Sequence, residues 1–214
     1  MGHSQEEIVF ILDDDPGIRD ALSMLLASRD MRSVAFGSAT EYLAYPKPDV
    51  AACLVLDVEL PDINGLDLQS MLAPDNHPHV VFITGHGDIP STVRAMRTGA
   101  VDFLTKPFTE TDLMRAIDAA LAQDRDARNK RAELTDLQRR LSGLTPRERE
   151  VLPLVVSGLL NKQAAAELGI SDITLQIHRS SIMKKMGAAS LPELVRMAGA
   201  LAIPVTHSRR PQRS

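Results

Sequence analysis

Ile8-Val9-Phe10-Ile11-Leu12-Asp13-Asp14-Asp15-Pro16 is five apolar residues in a row, then three carboxylates, then a proline. An unbroken apolar run of that length predicts a strand buried on both faces, as in a parallel sheet. Pro16 opens a helix, because its fixed φ suits the first turn and its missing N–H is not needed there. Ile18, Ala21, Leu22, Leu25 and Leu26 follow at spacings of three and four, an amphipathic pattern. Working outward, Ser33-Val34-Ala35-Phe36 predicts a short strand, and Ser38 with Glu41 predicts a helix opened by a capping box. Ala52-Cys53-Leu54-Val55-Leu56 is a second wholly apolar strand, Val80-Val81-Phe82-Ile83 a third, and Val101 to Leu104 a weaker one. Helical stretches lie between them, around 65–72 and 90–98. Strands alternating with helices predict an α/β domain, a parallel sheet with helices on both faces.

The polar residues of this half collect where strands end, which is where open parallel sheets bind ligands. Asp13-Asp14-Asp15 follows the first strand and Asp57 the third; Thr84 ends the fourth, and Lys106-Pro107 follows the fifth. Asp15, before Pro16, reads as an ordinary helix cap. If strands one and three are neighbours, Asp13, Asp14 and Asp57 converge. Two unit charges 4 Å apart repel by about 4 kcal/mol at an effective dielectric of 20. Three carboxylates therefore need a cation, and hard oxygen ligands select Mg²⁺. A metal and a lysine beside a carboxylate suit phosphoryl transfer, with the carboxylate as nucleophile. Asp57 stands alone on its strand and is the expected nucleophile, which leaves Asp13 and Asp14 to hold the metal. Thr84 and Lys106 are expected to meet phosphoryl oxygens.

Asp13-Asp14, Leu56-Asp57-Val58-Glu59-Leu60-Pro61, Gly65, Thr84-Gly85-His86-Gly87 and Phe103-Leu104-Thr105-Lys106-Pro107-Phe108 together resemble the receiver domain of bacterial response regulators, over about residues 6–122. The resemblance implies a flavodoxin-like sheet of order 2-1-3-4-5 and phosphorylation of Asp57 by a sensor histidine kinase. It implies Mg²⁺ held by Asp14, Asp57 and the backbone carbonyl of Glu59, with Asp13 acting through water, and a cis Lys106-Pro107 bond. Glu59 and His86 occupy positions that tune phosphoryl lifetime in the family. Leu60, where the family more often has Met, is a volume-conserving departure. Thr84 and Phe103 are expected to relay phosphorylation to a homodimer built on the last receiver strands and helices. A phosphatase of the haloacid-dehalogenase type is the rival, since Asp57-Val58-Glu59 loosely resembles its paired acids; it leaves the strand-one pair without a role.

No Gly or Pro occurs from 108 to 142. Thr109 and Asp112 cap a helix that carries Leu113, Ile117 and Leu121, and later Leu134, Leu137 and Leu141. It predicts one long connecting helix. Its middle, Gln123 to Arg131, has almost no apolar face and is expected to be solvated or covered by a partner. Beyond Gly143 every element reads as helix. Thr145-Pro146-Arg147-Glu148 is a capped start; Asn161 to Leu168, ended by Gly169, precedes a helix capped by Ser171 and running to about Met186; Ser190-Leu191-Pro192-Glu193 starts the last. A short helix, a glycine turn and a second helix form the helix-turn-helix pattern. Ile173, Ile177, Ile182 and Met186 read as roughly one apolar stripe on the second helix.

Leu144-Thr145-Pro146-Arg147-Glu148-Arg149-Glu150-Val151-Leu152, Gly158, Asn161-Lys162, Leu168-Gly169-Ile170-Ser171, Thr174, His178 and Lys184-Lys185-Met186 resemble the LuxR-type output domain of the NarL/FixJ subfamily, with the whole chain most like the FixJ group. The resemblance implies binding to double-stranded promoter DNA. Gln176, Ile177 and Ser180 match base-facing positions, while Arg179, Lys184 and Lys185 are expected on phosphates. Gln176 replaces a common Lys and Ala164 a common Ile; Gln prefers adenine edges where Lys prefers guanine. RNA polymerase is a further expected partner.

The expected division is a receiver at 1–122, a helical linker at 123–142, a DNA-binding domain at 143–202 and a disordered basic tail at 203–214. Charge divides the same way. Residues 1–122 hold eight Lys/Arg against nineteen Asp/Glu, and residues 123–214 hold sixteen against nine. A basic half facing a polyanion follows. The absence of Trp, with only two Tyr and five Phe, argues against stacking on single-stranded RNA. One cysteine excludes a disulfide framework and fits a reducing compartment. With no signal-like start and no apolar stretch long enough for a membrane span, the expected location is the cytoplasm.

Overall fold

The computed structural model describes residues 7–72, 77–85 and 89–204. His86 and the tail from 205 onward lie outside the described residues. Five strands form one parallel sheet, β1 (Glu7–Leu12), β2 (Arg32–Phe36), β3 (Ala51–Asp57), β4 (His79–Thr84) and β5 (Asp102–Thr105), in the order β2-β1-β3-β4-β5. The period of two in each strand supplies two cores. Ile8, Phe10 and Leu12 join Leu54, Leu56 and Phe82 on one face. Val9 and Ile11 join Val55, Val81 and Ile83 on the other. Helices α1 (Pro16–Ser28), α2 (Ala39–Ala44), α3 (Gly65–Met71) and α4 (Ile89–Arg97) connect the strands. Asp15 caps α1 by accepting from the Gly17 N–H at 2.7 Å. Ser38 caps α2, but Glu41 reaches back one residue further than a capping box requires and accepts from the Gly37 N–H instead.

Helix α5 runs unbroken from Glu110 to Ser142. Its first turns bury Leu113, Ile117 and Leu121 against the sheet. The polar stretch that follows is only partly left to solvent: Gln123, Asp126 and Asn129 to Arg131 are exposed as expected, but Asp124, Arg125 and Arg128 between them are anchored. Asp124 is buried beneath the sheet, where its Oδ2 accepts from the Ala52 N–H at 2.9 Å and from Arg128 Nε at 2.6 Å. Its Oδ1 lies 3.3 Å from His79 Nδ1. Arg125 pairs with Glu7, and Arg128 also with Asp49. Ion pairs rather than apolar packing hold this part of the helix, which is why hydrophobic periodicity missed it. Burial alone would raise the Asp124 carboxyl, but the hydrogen bonds from His79, Arg128 and Ala52 outweigh it and hold the group below its ordinary value.

The chain divides into two compact units, residues 1–128 and 129–214. In the second, the end of α5 is followed by α6 (Pro146–Val156), α7 (Asn161–Leu168), α8 (Asp172–Met186) and α9 (Leu191–Ala200). Val151, Leu152, Val155, Ala164, Ala165, Leu175, Ile182, Met186 and Leu194 form its core. Gly169, at φ +64°, turns the chain between α7 and α8, a conformation that costs glycine little. Ala164 and Ala165 are buried, and their small size allows α8 to pack closely on α7. Among the described residues no helix is long and apolar enough to cross a membrane.

Candidate functional site

The sheet register brings the strand-end residues together. Leu12 is level with Leu56, so Asp13 and Asp57 extend side by side from β1 and β3. Asp57 is paired with Ile83 on β4, and Thr84 with Thr105 on β5, which places Thr84 and Lys106 at the same end. The Lys106 N–H donates to the Thr84 carbonyl at 2.7 Å, and the Lys106-Pro107 bond is cis. Carboxylate oxygens of Asp13, Asp14 and Asp57 all lie within 4.8 Å of one another. Asp13 is fully buried and Asp57 nearly so, while Asp14 is exposed. Arg19 donates to the Asp13 and Asp14 carbonyls, both at 2.8 Å, and so pins the loop that carries them.

Lys106 sits between the two buried carboxylates, 2.7 Å from Asp13 Oδ2 and 2.7 Å from Asp57 Oδ2. The remaining oxygens take backbone N–H groups: Asp13 Oδ1 from Asp15 at 2.9 Å, Asp57 Oδ1 from Glu59 at 3.0 Å. Burial raises the Asp57 carboxyl above its ordinary value, helped by Asp13 and opposed by Lys106 and the Glu59 N–H. Burial pulls Lys106 the other way, but the two carboxylates prevail and its ammonium is held more strongly than usual. One ammonium thus pairs with two carboxylates while a third, that of Asp14, lies close by, and these four side chains keep an excess of negative charge. Hard oxygen donors with that excess fit a small divalent cation. Thr84 is fully buried at the pocket's edge. Phe103 is half-buried, its ring 6.0 Å from that of Phe82 and tilted 42° to it.

Gly65, at the start of α3, is part of the same construction. A Cβ there would lie 2.3 Å from the Asp57 carbonyl oxygen. The Gly65 N–H also donates to the Val58 carbonyl at 2.8 Å. Only glycine lets α3 approach the end of β3 so closely.

In the second unit, the expected DNA-facing residues separate into two groups. Gln176, Ile177, Ser180 and Lys184 are exposed on α8. Arg179 is turned inward, donating to Asn161 Oδ1 at 3.1 Å, and Lys185 donates to Glu148 Oε2 at 2.7 Å. The expected apolar stripe is corrected. Leu175, Ile182 and Met186 face the core, whereas Ile173 and Ile177 are 73% and 63% exposed. At 100° per residue, Ile177 and Ile182 stand 140° apart and cannot share a face.

Glu148 does more than its place in the capping box announced. It accepts from the Thr145 N–H at 2.7 Å, from Ser181 Oγ at 2.6 Å and from Lys185. Burial would raise its carboxyl, but these hydrogen bonds prevail and hold it at about 2. It ties the start of α6 to the C-terminal half of α8 and so orients the latter.

Residues 9–118 match the family model for the response regulator receiver domain, and residues 142–198 that for bacterial regulatory proteins of the luxR family. Nodulation protein W of Bradyrhizobium diazoefficiens is 48% identical over 99% of this chain and 95% of its own length. The transcriptional regulatory protein FixJ of Azorhizobium caulinodans is 42% identical over 89% of this chain and 90% of its own. Among solved structures, the response regulator StyR superposes with a TM-score of 0.80 at 42% identity, covering 91% of this chain and 98% of that one. Full-length FixJ from B. japonicum does so with 0.54 at 36% identity, covering 93% and 98%.

Proposed function

Because the chain belongs to the response regulators that join a receiver domain to a LuxR-type output domain, we infer that Asp57 is the residue that takes the phosphoryl group. Regulators of this architecture control transcription in response to phosphorylation, with a histidine kinase as donor and DNA as target. The observation that carries the residue assignment is the shared lysine. Lys106 touches both Asp13 and Asp57, and of these only Asp57 stands at a strand end without a following acid. An Asp57 oxygen attacks phosphorus, a P–O bond forms, and the P–N bond to the donor histidine breaks. Lys106 then pairs with a phosphoryl oxygen, and the Thr84 hydroxyl donates to another.

Mg²⁺ fits the donor set. Asp14, Asp57 and the Glu59 carbonyl would hold it, with Asp13 acting through water, and when bound it supplies positive charge to the phosphoryl oxygens. Thr84, drawn toward the phosphoryl group on Asp57, vacates space into which Phe103 turns inward, and this favours a homodimer of receivers. On DNA, Gln176, Ile177 and Ser180 read bases while Lys184, with Arg179 and Lys185 once freed, meets phosphates; RNA polymerase is the partner downstream. The reading belongs to the cytoplasm, and the chain acts as a stoichiometric acceptor rather than an enzyme. The boundaries proposed are a receiver that extends past the expected residue 122 and a DNA-binding domain that extends past the expected 202, since the Ile203 N–H donates to the Ala198 carbonyl at 2.9 Å and its side chain packs on the second unit's core, with a tail beyond. The linker proper begins after Arg128, because Asp124 to Arg128 belong to the base of the sheet. The test is incubation with Mg²⁺ and acetyl phosphate. Wild type should gain one phosphoryl mass and Asp57→Asn none; labelling of Asp57→Asn would overturn the assignment.

A further inference from the structure

The outward face of α8 has an unusual composition. Ile173, Gln176, Ile177, Ser180 and Lys184 fall within about 100° of arc at helical spacing, and all five are exposed. The core residues Leu175, Ile182 and Met186 lie on the opposite side. The side chains of Gln176, Ser180 and Lys184 have no intramolecular partner among the described residues. Ile173 and Ile177 are therefore apolar surface set among free polar groups, in a basic half-chain. A protein partner needs about 800 Å² of complementary surface, far more than two side chains on one helix supply. Thymine methyls in a DNA major groove need only what is here: a small apolar contact beside hydrogen-bonding groups, with cations for the backbone.

We propose that Ile173 is a further specificity-determining residue, which with Ile177 reads thymine methyl groups and, together with Gln176 on adenine, confines the recognised half-site to A·T pairs at its core. The proposal rests on the assignment of α8 as the DNA-reading helix. Residues one turn apart are about 5–6 Å apart at Cβ, and successive bases rise by about 3.4 Å. The two isoleucines thus reach methyls one or two base pairs apart.

The experiment uses the full chain treated with Mg²⁺ and acetyl phosphate, and a randomised duplex library. Each thymine of the selected half-site is then replaced by deoxyuridine, which removes the methyl and leaves the hydrogen-bonding edge intact. Wild type should lose about fourfold in affinity at two positions, the worth of one buried methyl each. Ile173→Ala should be insensitive to deoxyuridine at one of them, and Ile177→Ala at the other. Both side chains are exposed, so the melting temperature of each variant should stay near that of wild type. If wild type tolerates deoxyuridine throughout, or Ile173→Ala remains as sensitive as wild type, the proposal is overturned. In that event Lys184→Ala distinguishes the two levels. A flattened salt dependence keeps α8 as the DNA-binding helix, and an unchanged one removes that assignment too.

Discussion

Replacing Lys106 by Met keeps the length of the side chain and removes the one charge shared by Asp13 and Asp57. At 2.7 Å and an effective dielectric of 20, each contact carries about 6 kcal/mol of attraction. Much of this is offset by the cost of taking three charges out of water. What the variant is left with is repulsion between two buried carboxylates. With oxygens no more than 4.8 Å apart, that repulsion is at least about 3 kcal/mol. Breaking a buried pair by deleting one partner costs about 3–5 kcal/mol in general, which agrees. The first unit of Lys106→Met should therefore be about 3 kcal/mol less stable than wild type at pH 7 in EDTA. The chain has no Trp, so urea unfolding is followed by circular dichroism, with hydrogen exchange of β1 and β3 peptides to assign the transition. Two dependences identify the cause. Mg²⁺ should restore more stability to the variant than to wild type. The deficit should also shrink in acid, because the Asp57 carboxyl is already raised by burial and an Asp57 that has taken up a proton no longer repels Asp13. A deficit under 1 kcal/mol, or one indifferent to Mg²⁺ and pH, would refute the reasoning.

Asp124→Asn should release the clasp between α5 and the sheet, costing about 1–3 kcal/mol and raising hydrogen exchange across 123–128; unchanged protection there would show that the clasp does not hold the helix. Because the Asp124 carboxyl is depressed, the stability it adds is present above the ordinary carboxylate range and is lost as pH falls through it. Glu148→Gln should destabilise the second unit by about 1–3 kcal/mol, read by its own melting transition. By the same sign, the stability contributed by Glu148 in wild type should disappear as pH falls from its ordinary 4.5 toward about 2; an acid profile identical to that of the variant would contradict this. Gly65→Ala should push the end of β3 away from α3, costing about 1–3 kcal/mol and slowing phosphorylation by acetyl phosphate. A variant with unaltered stability and rate would mean that the close approach at Asp57 has no consequence.

The sheet was legible because its central strands carry short, unbroken apolar runs punctuated by acids, so Ile8–Leu12 and Ala52–Leu56 admitted one interpretation. The pocket followed, since a parallel sheet sends all strand ends the same way and Asp13, Asp57, Thr84 and Lys106 occupy those ends. What escaped has a common physical origin. Asp124 lies in a run without an apolar face, and its burial depends on an N–H of β3 more than seventy residues away. Glu148 was readable as a cap, but its bonds to Ser181 and Lys185 exist only once α6 and α8 are packed. On α8, apolar residues occupy opposite faces, so periodicity could not say which isoleucines were core. Leu175, between Thr174 and Gln176, was the better guide, because it lies about two turns before Ile182 and about three before Met186 and so shares their face.

The most direct measurement couples the two halves on one sample. The chain is phosphorylated to graded extents with acetyl phosphate and Mg²⁺, the fraction modified is read by intact mass, and the affinity for a selected duplex by fluorescence anisotropy at fixed salt. Affinity should rise with the fraction phosphorylated, while Asp57→Asn should gain no mass and stay at the unphosphorylated value. Affinity that is the same at every level of phosphorylation, or that rises equally in Asp57→Asn, would contradict a regulator switched through Asp57.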